Sequence, residues 1–133
     1  MSFIVACGTV DGENFTDDHF GESDIFKLYR VDDYGVDLVK KVDNTSREEM
    51  TESGHGDPQK AMDVTRILKS ESVNVVMAHQ MGPNVVKLSK KFVPVIYRGM
   101  SIDDGLEALI DNLYLVEREW RKGENREYIV LEE

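Results

Sequence analysis

Apolar residues along this chain follow two rhythms, short runs and longer stripes. SFIVACG at 2–8 is a continuous apolar run closed by glycine, the pattern of a strand buried on both faces. DIFKLYRV at 24–31 sets Phe26 and Leu28 on one face against Ile25, Tyr29 and Val31 on the other. DDYG at 32–35 supplies turn residues, and VDLVKKV at 36–42 alternates Val36, Leu38 and Val42 with Asp37 and lysines, so a hairpin is predicted. SVNVVMAH at 72–79 and VPVIYR at 93–98 read as two further buried strands.

The stripes mark helices. Asp57 precedes Pro58 as an N-cap precedes a first-turn proline, and Ala61, Val64, Ile67 and Leu68 follow at helical spacing. Gly82-Pro83 opens a short helix bearing Val85, Val86 and Leu88. Ser101 and Asp104 have capping-box spacing, with Asp in place of Glu, ahead of Leu106, Leu109, Ile110 and Leu113. Residues 114–133 continue this helix to Arg121 and end in a short edge strand at 128–131.

The order βββαβαβα has a geometric consequence. Two hairpin reversals return the third strand to the direction of the first, and each helical crossover returns the chain parallel. Strands one, three, four and five therefore end at one edge, where the segments 9–23, 43–56, 79–82 and 99–101 gather. Ligands of open α/β sheets bind outside the carboxyl ends of strands, here expected between strands one and four.

The chain's three histidines, His19, His55 and His79, fall in three of those segments, and Cys7 ends the first strand. A single loop histidine is commonly a solvated side chain; convergence of several changes that balance. Neutral imidazole suits zinc, copper, iron and nickel, and an exposed thiolate suits softer metals and sulfide clusters. No zinc-finger spacing or HExxH occurs, and no GxGxxG or GxxxxGK[ST]. Gly21, Gly54, Gly56 and Gly82 allow close backbone approach to a bulky ligand, and helix starts near Asp57 and Pro83 direct N–H groups to the same edge. An anionic metal–sulfide or oxo cluster satisfies both demands.

Composition narrows the field. At 133 residues and 41% apolar content the chain suits one domain, without an apolar run long enough to cross a bilayer. No basic n-region or cleavage pattern marks MSFIVACGTV, so a cytoplasmic location is expected. The single cysteine excludes an internal disulfide. A net charge of −10 disfavours nonspecific binding to nucleic acid or anionic membrane, and Lys87, Lys90 and Lys91 read as a solvated helix face.

FIVACG, DDHFGESDIFKLY, SGHGDPQKA, VNVVMAHQMGPNVVKL and VPVIYRGMSIDDGLEAL, in this order, resemble the dinitrogenase iron-molybdenum cofactor family, which includes NifX, NafY and the C-terminal part of NifB. The likeness spans roughly 2–113 and implies a domain 1–113 with an extension 114–133 that packs on it or continues it. It implies a ribonuclease H-like mixed sheet of five strands, order 3-2-1-4-5 with strand two antiparallel, and helices on both faces. It further implies non-catalytic carriage of a preformed iron-, molybdenum- or copper-containing sulfur cluster exchanged with donor or acceptor proteins. His19, His55, His79 and Cys7 are then the candidate metal ligands. Gly21, Gly54, Gly56, Met81, Gly82 and Pro83 are the candidate pocket residues.

Two rivals accompany that reading. A magnesium-dependent hydrolase on the same sheet needs carboxylates on central strands, and FIVACG has none. An interaction module would use the acidic surface or LYLVEREW in the tail, which can equally pack on the sheet.

Overall fold

The computed structural model describes the backbone of residues 1–47 and 58–133, and the side chains of these except 47 and 58–61. Six strands form one sheet: β1 (Ser2–Thr9), β2 (Ile25–Asp32), β3 (Gly35–Asp43), β4 (Val75–Ala78), β5 (Val93–Tyr97) and β6 (Ile129–Leu131). Their order is β3-β2-β1-β4-β5-β6. β2 runs antiparallel to both neighbours, and the pairs β1–β4, β4–β5 and β5–β6 are parallel. The five-stranded sheet that the resemblance implies is corrected by β6, which falls where the sequence reads a short edge strand at 128–131. Its three residues align Ile129 with Val95 and Leu131 with Tyr97. A run that short carries little signal by itself; burial of Ile129 and Leu131 beside β5 fixes it.

Side-chain alternation sorts the core onto two faces. One face packs Val5, Cys7, Tyr29, Met77 and Val95 against helices α3 (Ile102–Ile110) and α4 (Leu113–Arg121). The other packs Ala6, Phe26, Leu28 and Val76 against α1 (Pro58–Ser70) and α2 (Val85–Ser89). With both faces covered, β1, β4 and β5 need continuous apolar runs, whereas β3 is an exposed edge guarded by Lys40 and Lys41.

Local chemistry closes the elements as their sequences direct. Asp32 Oδ1 accepts the N–H groups of Tyr34 and Gly35 at 2.8 and 3.1 Å, making the β2–β3 turn. Ser101 caps α3, its hydroxyl accepting Asp104 N–H at 3.3 Å. The helical reading past Ile110 is interrupted rather than continuous: Asn112, at φ −128°, separates α3 from α4, and its side-chain amide donates to Ala108 O at 2.8 Å. The helix expected from Gly82-Pro83 starts at Val85, because Gly82 holds φ +80° and accepts Val85 N–H in a turn.

Because α1 and α2 lie on one face and α3 on the other, the connections leaving β4 and β5 diverge. The strand order itself reverses between β1 and β4, the place where the crevice rule puts a ligand.

Candidate functional site

At the carboxyl edge, four connections are stitched into one surface. Phe15 N–H donates to Met100 O at 2.7 Å and Ile102 N–H to Glu13 O at 3.0 Å, joining the segment after β1 to the one after β5. Phe20 N–H donates to Gln80 O at 3.1 Å, and Gln80 Nε2 donates to Asp17 O at 2.7 Å, joining it to the segment after β4. From the third direction, buried Asn44, just past β3, donates its side-chain amide to Gly21 O at 2.9 Å and Ser23 O at 2.8 Å. Asn44 and Gln80 carry no sequence signal that marks them as latches; their partners are distant backbone carbonyls.

His79, half-buried after β4, has its Nδ1 3.0 Å from the carbonyl oxygen of Gly99. A carbonyl only accepts, so Nδ1 carries a proton, and in the neutral ring Nε2 is the nitrogen with the free lone pair. Among the described residues Nε2 has no hydrogen-bond partner. This tautomer is the one a metal-ligating histidine adopts when a backbone carbonyl orients it from behind. His79 thus meets the segment after β5 at the carboxyl edge of the sheet.

His19 stands at the start of a 3₁₀ turn, Phe20–Glu22, its own N–H donating to Asp18 Oδ1 at 2.7 Å. The Nδ1 side of its ring lies flat against Gly82: a Cβ built there would sit 2.4 Å from Nδ1. Gly82 therefore serves two needs, left-handed backbone and close approach of an imidazole. The Phe20–Gln80 bond ties the two histidine-bearing segments together, His19 and His79 each preceding one of its partners.

The remaining predicted residues divide. Cys7 is fully buried against the α3 face, and burial pushes its thiol well above its ordinary range, so it is no exposed soft donor at the edge. Strand alternation turns it inward. Met81 is buried in the opposite core with Phe20 and Leu88, so its thioether is packing and not pocket lining. Gly21 is at the edge through its carbonyl, and Pro83 is exposed beside Gly82. His55, Gly54, Gly56 and the Asp57 cap lie outside the described residues. Among the described residues no three His, Cys, Asp or Glu side chains group closely enough to hold one metal ion.

A neighbouring cleft of about 530 Å³ lies between residues 10–17 and Met100. Asp11 and Asp17 line it, which disfavours an anion there. The Asn14 and Glu13 backbone amides hold the Asp11 carboxyl at about 2, fixing this turn.

Comparison with known proteins follows the geometry. A family model described as dinitrogenase iron-molybdenum cofactor matches residues 1–112. A crystal structure from Methanocaldococcus jannaschii, provisionally described as a dinitrogenase, superposes with a TM-score of 0.60 at 19% identity, covering 84% of this chain and 91% of that one. At that identity the likeness bears on the fold. No curated protein matches the chain.

Proposed function

Since the chain belongs to the dinitrogenase iron-molybdenum cofactor family, we propose that it carries a preformed, anionic metal–sulfur cluster as cargo, without catalysis, at the crevice beside His79. The observation that carries this reading is the His79–Gly99 bond, which leaves Nε2 as a pre-oriented donor. His19, held against Gly82 in the adjoining segment, is the second candidate ligand. Two imidazoles suit a cluster fastened at one or two vertices better than a mononuclear site, which takes three or four protein ligands. Iron, molybdenum and copper all remain within the reach of imidazole donors.

The same reading takes residues 1–113 as the cargo domain, with a ribonuclease H-like core of β3-β2-β1-β4-β5, and 114–133 as its extension. It places the protein in the cytoplasm, exchanging cargo with donor and acceptor proteins. No described helix is long and apolar enough to cross a membrane.

Anaerobic reconstitution with iron, molybdate or copper plus sulfide tests the assignment. Wild type is expected to develop visible charge-transfer bands that His79→Ala shifts and His19→Ala/His79→Ala abolishes. Identical spectra from wild type and the double variant would remove the histidines from the site.

A further inference from the structure

A second surface stands apart from the histidine crevice. Between α1 and α2 runs a groove of about 340 Å³ lined by Met62, Thr65, Arg66, Lys87, Lys90 and Lys91. The chain as a whole carries −10, yet four of these six side chains are cations. Arg66 is held by Asp63 at 3.3 Å, while Lys87, Lys90 and Lys91 are exposed and form no ion pair among the described residues. Lys69, farther along α1, packs over the Phe92 ring, and desolvation, Lys91 and Arg126 together hold its ammonium below the ordinary lysine range. Positive charge is crowded here, and among the described residues only Arg66 of the four lining cations is paired. The floor is apolar: Met62 is 59% exposed, and Val86 on the adjoining ridge of α2 is 66% exposed.

We propose that this groove docks an acidic, amphipathic helix of a partner protein. An apolar floor with a cationic rim is the complement of a helix that carries apolar anchors flanked by carboxylates. A nucleic acid would meet the rim but not the floor, and the surrounding acidic surface repels a long polyanion. The chain's own acidic helix, α3, turns its apolar side to the sheet, so a second copy does not supply such a ligand.

A labelled synthetic helix with leucines on one face and glutamates beside them, titrated into the full chain at low salt and followed by fluorescence anisotropy, tests the proposal. Wild type is expected to bind it, Lys87→Glu/Lys90→Glu/Lys91→Glu to bind about tenfold more weakly or worse, and Met62→Ser to weaken binding while leaving its salt dependence. All four side chains are exposed, so Met62→Ser should melt as wild type does, and circular dichroism at the salt of the titration checks that the more acidic triple variant is folded. His79→Ala should bind normally, which separates this proposal from the cargo reading. Equal binding by the triple variant, equal binding of a peptide with the same leucines scattered around the helix, or tighter binding of single-stranded RNA or phosphatidylserine vesicles would overturn it.

Discussion

The ring of His19 and the missing side chain of Gly82 form one unit, and each explains the other. Gly82 adopts φ +80°, and any Cβ there would enter the imidazole. Gly82→Ala should therefore cost about 2 kcal/mol or more, part from left-handed backbone and part from the clash. Urea denaturation of Gly82→Ala alone and in a His19→Ser background separates the parts: the cost should shrink in the second, because only the steric component depends on the ring. The sequence marks both residues, one as a glycine before proline and one as a loop histidine, but not that they touch. The roles of Cys7 and Met81 were illegible for a related reason. Each is chemically competent for soft metals, and only the direction in which strand or loop turns the side chain decides between donor and core.

At the scale of elements, the first and last strands of the chain are secured differently. β1 is a central strand, and its burial follows directly from an unbroken apolar run. β6 depends on help from α4. Glu119, 2% exposed in the last turns of α4, accepts from Lys122 Nζ at 2.8 Å, Arg118 Nε at 3.1 Å and Glu127 N–H at 2.9 Å, tying the helix to the segment that leads into β6. Burial alone would raise its carboxyl, but the Lys122 ammonium, the Glu127 amide and the Arg118 guanidinium outweigh it and hold the group below the usual range. A carboxylate so depressed stabilises the fold above its unfolded value of about 4.3, and that contribution is lost as pH falls through the folded value. Glu119→Gln should cost about 2 kcal/mol at pH 7, with the gap to wild type closing in acid; denaturation at both pH values checks this. Asn112 shows the same limit of legibility: the stripe from Leu106 to Leu113 reads as one helix, and the break appears only when its amide turns back to Ala108.

For the whole molecule, 26 acidic against 16 basic residues make self-repulsion a standing load on the folded state. Salt screens it, so the thermal midpoint should rise between low salt and 0.5 M sodium chloride. A midpoint that falls instead would mean that local ion pairs outweigh the net charge. Hydrophobic rhythm alone determined the first five strands, the parallel direction of four of them, the helices between, and the edge at which loops collect, because periodicity is set by residues a few positions apart. Tertiary structure decided the pairing of the last strand with β5, which face each helix covers, and the hydrogen bond that His79 Nδ1 makes. Each of these rests on a partner far along the chain, Val95 for Ile129 and Gly99 for His79, and no local pattern encodes a partner's position.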